Sequence, residues 1–542
     1  MPDTRALPPD PANEAVRAYQ PDSPETAALQ SRLDAMAGET IEAPCVIEGR
    51  SVTTGRTFRA RAPHDHGLTL ANVHGADRDE VIAAVEAARS ARHDWMALDW
   101  RDRAAIFLKA ADLIAGPHRD TLNAATMLNQ SKTVQQAEID AACELIDFLR
   151  FNAHFYAEIL AGQPHSARGV WNQVDYRPLD GFVLALTPFN FTAIAGNLPT
   201  APALCGNTVV WKASEKQALS AHYLMTVLQE AGLPDGVINL VHGDGALAAD
   251  VCTDQDDFAG LHFTGSVTVF RGLWRTIGSK IDRYIAFPRI VGETGGKDFI
   301  AVHRSADPAA VVTALVRGAF EYQGQKCSAA SRAYVPHSLW DLGMRDRLAD
   351  TTAALTMGDV RDWGNFMGAV IDEAAFRRHE TVLHQAAHDP TLEVLVGGGT
   401  DEADGWFVEP TVVVTSDPRH ELMATELFGP ILTVFVYEDD DWSHVLDLVD
   451  TTSPYALTGA VFATDRNVIA DASIRLRHAA GNFYVNDKPT GAIVGQQPFG
   501  GSRSSGTNDK AGAPQNLLRW MSTRALKEAF DPPRDHRYPH MG

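Results

Sequence analysis

The hydrophobic pattern of the first 160 residues is helical. Apolar residues recur at intervals of three and four in "DEVIAAVEAARSARHDW", which follows Arg78, in "RAAIFLKAADLIA", and in a long amphipathic stretch from Thr133 to Leu160. This spacing places the apolar side chains on one face of a helix. We therefore predict three or more helices here, preceded by a loose, partly helical lead-in over residues 1 to about 45.

The pattern changes at Phe182. Short apolar runs ("FVLALT", "NTVVWK", "GVINLV", "FAGLHFT") alternate with helical segments such as Ala218 to Ala231 and Ala246 to Cys252. The alternation resumes after Thr294 with "DFIAVH", a helix from Pro308 to Phe320, "RAYVP", "ILTVFVY" and "LTGAVFAT". Such alternation is typical of βαβ units, so we expect an α/β fold with two parallel-sheet domains. The stretch Gly169 to Gly181 predicts an exposed strand or hairpin.

Composition and charge exclude several classes of function. A chain of 542 residues is too long for one core, and its net charge of −22 argues against nucleic acid or an anionic membrane as partner. The sequence contains no run of 18 or more apolar residues, so it predicts no membrane helix. The Pro-rich, acidic N-terminus resembles neither a signal nor a transit peptide, so we expect a cytoplasmic protein.

The cysteines and histidines indicate neither disulfides nor a metal. The cysteines are odd in number and form no CxxC, and the 20 histidines form no HExxH. We expect "HDH", His64 to His66, to lie in a solvated loop. The cysteines are Cys45, Cys143, Cys205, Cys252 and Cys327.

Cys327, in "EYQGQKCSAAS", is the first candidate for chemistry. It is either an ordinary small core residue, as free cysteines often are, or a nucleophile in a tight turn. Glu293, in "IVGETGGKD", lies 34 residues earlier and is either an exposed acid or a partner of that thiol. One strand and one helix separate the two, so both can lie at the same end of a sheet. A thiol and a carboxylate there are a candidate nucleophile and general base.

Three further segments follow predicted strands at the edge where α/β sheets bind ligands. Asn190, in "TPFNF", either caps a turn or donates its amide N–H to an oxyanion. Glu215 and Lys212, in "WKASE", are either a solvated charged turn or a grip on ribose hydroxyls. In "FTGSVTV", Gly265 and Ser266 place backbone N–H groups near a phosphate, although the chain contains no GxGxxG.

Taken together, the segments resemble the aldehyde dehydrogenase superfamily. The matching segments occur in the order "TPFNF", "WKASE", "FTGS", "GETGGK", "GQKCSA", "ELFGP" and "NDKPTGAIVGQQPFGGSRSSG", from about Gly181 to Gly506. Segments such as "EIDAACELIDFLRFNAHF", "FPRIVGETGGKDF" and "FEYQGQKCSAASRAYVPHSLW" are similar to the L-glutamate γ-semialdehyde dehydrogenases of this superfamily. That similarity extends over nearly the whole chain.

The resemblance implies NAD-dependent oxidation of L-glutamate γ-semialdehyde to L-glutamate. Cys327 would attack the aldehyde, Asn190 would hold the oxyanion, and Glu293 would activate the water that releases the product. The implied cofactor residues are Thr187, Lys212, Ser214, Glu215, Gly265, Ser266, Val267, Thr268, Val269, Glu426 and Phe428. The implied substrate residues are Glu144, Lys326, Ser328, Gly491, Ala492 and Phe499, with no metal.

One position departs from the superfamily pattern. Ala492 stands where a serine is common, so one hydroxyl donor to the substrate carboxylate is missing. A charge-assisted hydrogen bond contributes about 1.5–3 kcal/mol, so we expect roughly tenfold weaker substrate binding unless a water or backbone N–H group substitutes.

The resemblance also implies a domain division and a homo-oligomer. Residues 1–168 and 182–292 would bind NAD in a Rossmann-like domain, residues 293–505 would form the catalytic domain, and residues 169–181 and 506–542 would form an oligomerisation hairpin and tail. Two alternatives stay open at this point. One is a dehydrogenase of another acidic semialdehyde, and the other is a cysteine hydrolase without cofactor, against which Glu215 and the Gly265–Ser266 turn argue.

Overall fold

The structure, a computed structural model, describes residues 7–542; the first six residues of the predicted lead-in lie outside this range. Two seven-stranded sheets dominate the described part of the chain. Most strands in each sheet run parallel and are joined by helices, so the predicted α/β class is confirmed.

The first sheet is built from four strands that the sequence pattern predicted after Phe182 and three that it did not predict, Arg289–Glu293, Cys45–Ile47 and Arg50–Val52. Five parallel strands are joined at one edge by an antiparallel pair, which contributes Cys45 and Val46 to the buried interior. The spatial order is Arg289–Glu293, Phe258–Thr264, Phe182–Leu186, Thr208–Lys212, Ile238–Val241, Cys45–Ile47 and Arg50–Val52.

The second sheet follows directly in the chain. Only residues 294–297 separate its first strand from the last strand of the first sheet, so "GETGGKD" lies where the two sheets join. Six strands are parallel and the edge strand Leu392–Val396 is antiparallel. The spatial order is Leu392–Val396, Thr411–Thr415, Ile431–Tyr437, Ala330–Pro336, Asp298–Val302, Thr458–Phe462 and Asn482–Val485.

The helices agree closely with the sequence pattern. Ala218–Ala231 and Pro308–Phe320 have the predicted bounds, and Gly245–Thr253 is one residue longer at each end. The long stretch from Thr133 is continuous but contains a π-helical segment, Glu138–Glu144, between Val134–Ala137 and Leu145–Ala161. Other helices are Pro24–Ala37, Arg78–Ala97, Trp100–Ala115, Arg119–Gln130, Thr192–Leu204, Val267–Ser279, Arg345–Ala353, Glu373–Ala386, Trp442–Thr451 and Arg466–Arg475. No helix among residues 7–542 is long and apolar enough to cross a bilayer.

The predicted hairpin near Gly169 is wrong in its pairing. Val170–Pro178 is a single strand whose antiparallel partner is Met521–Ala529, near the C-terminus. A local pattern can predict an exposed strand, but not a partner that lies so far away in the chain.

The region between the lead-in and the first long helix contains strands that the sequence reading missed. Ile41–Ala43, Asp65–His74 and Thr57–Ala62 form a three-stranded sheet. Thr57–Ala62 is largely exposed and polar, so it lacks the apolar run that indicates a buried strand. The expected solvated loop at "HDH" is also wrong for His64, which is 3% exposed and lies 3.1 Å from the Ser131 hydroxyl through Nδ1.

Candidate active site

A cavity of about 610 Å³ contains both candidate reacting groups. Glu293 reaches it from the end of strand Arg289–Glu293 in the first sheet, and Cys327 from the turn before strand Ala330–Pro336 in the second. Cys327 is the only one of the five cysteines in the described chain that is not buried. The interpretation of Cys327 as an ordinary core residue is therefore not supported.

A left-handed turn presents Cys327 to the cavity. Tyr322, Gln323 and Gly324 have φ values of 53°, 53° and 65°, an unfavourable conformation for two non-glycine residues. Gly324 is required because a Cβ there would lie 2.3 Å from the Gly429 carbonyl oxygen. The Gln323 amide stabilises the turn, donating to the carbonyls of Ser131 and Ala369 at 2.9 and 2.7 Å.

The surroundings raise the pKa values of both reacting groups. Burial raises the pKa of the Cys327 thiol well above its usual value, and nearby carboxylates, including Asp298 and Glu426, raise it further. Burial likewise raises the pKa of Glu293, although the Gly501 N–H donates to its Oε2 at 3.2 Å and Lys510 lies nearby. A carboxyl group with a raised pKa can accept a proton near neutral pH, as a general base requires.

Asn190 lies behind the cysteine turn. Its Nδ2 donates to the Gln325 carbonyl at 3.0 Å, two residues before Cys327, and its side chain is buried. The amide therefore lies close to the backbone that carries the nucleophile. Because Nδ2 carries two hydrogens, it retains a second N–H for an oxyanion.

A buried ion pair that the sequence reading missed holds the loop of Asn190. Lys132 Nζ lies 2.7 Å from Asp140 Oδ2, and the Asp140 carboxylate accepts from the N–H groups of Thr192 and Ala193, the first two residues of a helix. The Lys132 ammonium also lies 4.1 Å from the Phe191 ring centre and 4.4 Å from that of Tyr322. It thus contacts both the Asn190 loop and the Cys327 turn.

All six expected substrate residues line the cavity. Ser328 Oγ lies 2.8 Å from Thr490 Oγ1, and Lys326 Nζ donates to Glu321 Oε2 at 3.0 Å. Burial raises the pKa of Glu144 to about 8, and neighbouring Asp140 adds to this effect. The full set is Glu144, Lys326, Ser328, Gly491, Ala492 and Phe499.

The cavity wall also contains polar residues that the sequence reading missed. Arg317 and Lys488 line it beside Lys326, and Lys488 Nζ donates to the Thr490 carbonyl at 3.0 Å. Glu321 faces all three cations, which contribute to lowering its pKa against its burial. One acid among three cations leaves the wall net positive, which suits a substrate carboxylate. The adjacency of Thr490 to Gly491 and Ala492 was the signal available in the sequence.

A second cluster of buried charged groups lies directly behind Cys327. Lys297 Nζ and Asp298 Oδ2 are buried without hydrogen-bond partners among residues 7–542. Burial lowers the pKa of Lys297 to about 7 and raises that of Glu426 to about 7. Glu426 Oε1 accepts from the Gly296 N–H at 3.0 Å, and a Cβ at Gly296 would lie 2.3 Å from the Cys327 carbonyl. Glycine therefore permits this close approach.

A separate cleft of about 480 Å³ lies at the carboxyl ends of the strands of the first sheet. Thr187, Lys212 and Val269 line it, together with Gly245 and Ala246. Lys212 is largely buried, yet its Nζ has no hydrogen-bond or salt-bridge partner among the described residues, and burial lowers its pKa. An ammonium without a partner in a strand-end cleft fits a ligand with hydroxyl or phosphate oxygens, as a dinucleotide has.

The other eight expected cofactor residues do not line this cleft. Ser266 caps helix Val267–Ser279, its Oγ accepting from the Val269 N–H at 3.3 Å, while Thr268 is exposed in the first turn. Gly265 N–H donates to the Glu293 carbonyl at 3.2 Å and so links the cleft to the cavity. The residues outside the cleft lining are Ser214, Glu215, Gly265, Ser266, Val267, Thr268, Glu426 and Phe428.

Three of these residues contact other parts of the chain. Ser214 caps a short 3₁₀ helix, and Glu215 is exposed and lines a different groove, beside Lys216 and Asp372. Phe428 packs edge-on against Phe189 at 5.8 Å between ring centres. The structure therefore brings Thr187, Lys212 and Val269 together in one cleft. Glu215 lies outside the lining of that cleft, although its charge opposes the burial that lowers the pKa of Lys212.

Comparison with known proteins identifies the family of the chain. A model of the aldehyde dehydrogenase family matches residues 51–526. The chain is 49% identical over 523 residues to "Probable delta-1-pyrroline-5-carboxylate dehydrogenase" of Schizosaccharomyces pombe, covering 96% of this chain and 95% of the relative. It is 48% identical over 531 residues to the human protein "Delta-1-pyrroline-5-carboxylate dehydrogenase, mitochondrial", covering 98% and 94%.

Solved structures extend the similarity to three dimensions. The Mycobacterium tuberculosis Delta-pyrroline-5-carboxylate dehydrogenase bound with NAD is 54% identical and superposes with a TM-score of 0.96 over 100% of both chains. A Thermus 1-pyrroline-5-carboxylate dehydrogenase with bound NAD is 30% identical, with a TM-score of 0.89 over 96% of this chain and 99% of that one. This chain belongs to the aldehyde dehydrogenase family.

Proposed function

We propose that this chain is an NAD-dependent dehydrogenase that oxidises L-glutamate γ-semialdehyde, which is in equilibrium with 1-pyrroline-5-carboxylate, to L-glutamate. This is the second step of proline catabolism. The observation that carries the proposal is the single cavity in which Cys327 and Glu293 face a hydroxyl pair, Ser328 and Thr490, and a net positive wall. The relatives described above are named for the same reaction.

The residues divide the reaction into two steps. The Cys327 thiolate attacks the aldehyde carbon, and Asn190 Nδ2 and the Cys327 N–H stabilise the oxyanion of the thiohemiacetal. NAD⁺, when bound, accepts the hydride. The resulting thioester is hydrolysed by water from which Glu293 removes a proton, and glutamate leaves as the thiol is restored.

The cavity residues recognise both ends of the substrate. Ser328, Thr490 and the backbone at Gly491–Ala492 bind the α-carboxylate, and Lys326 and Lys488 favour its charge. Glu144 lines the same cavity, and its carboxylate form, which increases with pH because burial raises its pKa to about 8, attracts the α-ammonium. Phe499 packs against the aliphatic stem. Lys212 and Thr187 in the strand-end cleft would hold the ribose of NAD, and the N-terminus of helix Val267–Ser279 would favour its phosphates.

The test is growth of NADH absorbance with different aldehydes. We expect kcat/KM for glutamate semialdehyde to exceed those for succinate semialdehyde and propanal, with no signal from Cys327→Ser. A preference for succinate semialdehyde would instead support the alternative acidic substrate. Hydrolysis of an ester or thioester without aldehyde-dependent NADH would support a cysteine hydrolase.

The assembly proposed here is a homodimer or a multiple of dimers. The support is a group of exposed apolar side chains in and after helix Val267–Ser279 and on the ribbon formed by Val170–Pro178 and Met521–Ala529. They include Trp274, Ile285 and Phe287, at 48%, 70% and 82% exposure, and Trp171 and Leu526. Light scattering after gel filtration should give at least twice the 58.8 kDa chain mass, and Phe287→Asp or Leu526→Asp should reduce it.

The domain limits and the cellular location are proposed from the sequence. The NAD-binding domain comprises residues 1–168 and 182–292, and the catalytic domain comprises residues 293–505. The cytoplasmic location stays a prediction because several relatives are named as mitochondrial. Fractionation of cells that express the native gene would test it.

A further inference from the structure

The N-terminal arm, defined here as residues 8–20, crosses the outer side of the substrate cavity without regular secondary structure. Three strong contacts fix it to the helices. Glu14 pairs with Arg119 at 2.6 Å and with Arg150 at 2.7 Å, and its N–H donates to Asp147 Oδ1 at 2.7 Å. The arm is therefore an anchored part of the fold at this point.

Asn13, beside Glu14, joins two walls of the cavity. Its Nδ2 donates to Asp147 Oδ2 and to the Val494 carbonyl, both at 2.8 Å, and its Oδ1 accepts from Gln496 Nε2 at 2.8 Å. Asp147 lies on the helix wall, beside the cavity-lining residue Phe148. Val494 and Gln496 belong to the loop that follows Ala492. A single amide group thus satisfies both of its donors and its acceptor across the gap.

Apart from those to Asn13, the hydrogen bonds of the 491–497 loop in the described chain are local: the Ile493 N–H donates to Gln497 Oε1 at 2.9 Å, and the N–H groups of Gln496 and Gln497 donate to the Ile493 carbonyl. Gly491 and Gly495 both have left-handed φ values, 94° and 80°. Glycine adopts positive and negative φ values about equally readily, so these two residues do not by themselves fix the direction of the backbone. Val494 is buried between them, and its carbonyl is the atom that Asn13 binds. Fixing this carbonyl fixes the direction of the backbone that leads back to Gly491 and Ala492.

We propose that Asn13 is a positioning residue for substrate specificity: it holds the 491–497 loop at the distance from helix Leu145–Ala161 at which the loop binds the α-carboxylate. This inference rests on the proposed function for its substrate. Asn13 touches neither the substrate nor the reacting atoms, so it acts through Val494 and Gln496. Substitution of Asn13 should therefore change KM for substrates that carry the carboxylate and not KM for simple aldehydes.

The test compares Asn13→Ala and Asn13→Asp with Tyr19→Phe. Tyr19 is in the same arm, and its hydroxyl donates to Glu138 Oε2 at 3.0 Å away from the loop, so its loss is a matched control. We expect Asn13→Ala, which removes all three hydrogen bonds of the amide, to raise KM for glutamate semialdehyde about fivefold or more, with kcat within about twofold of wild type. KM for propanal should not change. Asn13→Asp should have a larger effect because it places a second carboxylate against Asp147.

Hydrogen exchange of the full chain supplies a readout that needs no substrate. The N–H groups of Gln496 and Gln497 both donate to the Ile493 carbonyl at 3.0 Å, so they report the order of the loop. Faster exchange there in Asn13→Ala than in Tyr19→Phe would support the proposal. Equal exchange in the two variants, or equal changes in KM for both aldehydes, would overturn it. If wild type does not prefer glutamate semialdehyde, the proposed function fails, and the exchange comparison still decides whether Asn13 orders the loop.

Discussion

The cofactor cleft and the reaction cavity are adjacent, but they are built differently. Thr187 and Lys212 in the cleft follow strands of one sheet, and Lys212 Nζ has no salt bridge or hydrogen bond within the described chain. The cavity collects residues from both sheets, a π-helical segment and a C-terminal loop, and its surroundings raise the pKa values of Cys327, Glu293 and Glu144. The cleft offers an ammonium without a partner to a ligand, whereas the cavity controls the protonation of the reacting groups.

This difference predicts how mutations separate binding from chemistry. Substitutions in the cavity should reduce turnover but preserve cofactor binding. Substitutions in the cleft should weaken cofactor binding but preserve turnover. Phe263 and Thr264 line both regions, and the Gly265 N–H contacts the Glu293 carbonyl, so these residues link the two. Single substitutions elsewhere should therefore affect mainly one region.

The largest effect should come from Cys327→Ala. Loss of the nucleophile should reduce kcat on the order of 10⁴-fold or more, because no other cysteine in the described chain faces the cavity. NAD⁺ affinity measured by calorimetry should change by less than about twofold. Turnover near the wild-type value would exclude Cys327 as the nucleophile, and a large loss of NAD⁺ affinity would show that the two regions are not separable.

Glu293→Gln should reduce steady-state turnover by roughly 10²- to 10⁴-fold while permitting one burst of NADH, because the base is needed only after hydride transfer. In wild type, the carboxylate form must be present for thioester hydrolysis. Since burial raises the pKa of Glu293, this form increases as pH rises, so the hydrolysis rate should rise towards alkaline pH. Rapid-quench measurements from pH 6 to 9 test both points. Absence of a burst in a folded variant would place Glu293 before hydride transfer.

Lys212→Met tests the cofactor cleft. Loss of a charge-assisted hydrogen bond of about 1.5–3 kcal/mol should raise KM for NAD⁺ roughly 10- to 100-fold, with KM for the aldehyde unchanged. Lys216→Met is the matched control, because Lys216 is exposed and pairs with Asp372 outside the cleft. Similar effects of the two substitutions on KM for NAD⁺ would contradict the placement of the cofactor beside Lys212.

The same contrast explains what could be predicted from the sequence. Residues at strand ends, such as Thr187 and Lys212, were predictable because a strand followed by a turn is a local signal. Lys132 and Asp140 were not, since neither lies at a strand end and their role depends on Phe191 and Tyr322, which are distant in the chain.

The fold shows the same limit. The parallel strands after Phe182 were predictable from their buried apolar runs. The pairing of Val170–Pro178 with Met521–Ala529 depended on a distant partner. Thr57–Ala62 pairs with the neighbouring strand Asp65–His74 and was missed because it has no continuous apolar run. Asn13 is a further example of distant partners, because its three contacts are to residues 134, 481 and 483 positions away in the chain.

The smallest effect concerns Ala492, where the sequence alone suggests that a missing hydroxyl weakens carboxylate binding about tenfold. The structure offers a substitute: Thr490 is 5% exposed, and its hydroxyl lies 2.8 Å from that of Ser328 in the same cavity. A carboxylate bound there would already have two hydroxyl donors. Ala492→Ser should therefore lower KM for glutamate semialdehyde by only about twofold, whereas Thr490→Val, of similar shape, should raise it about fivefold. Neither change should alter KM for propanal. Steady-state kinetics with both aldehydes measures this, and a tenfold gain from Ala492→Ser with no loss from Thr490→Val would show that the carboxylate depends on position 492 rather than on the hydroxyl pair.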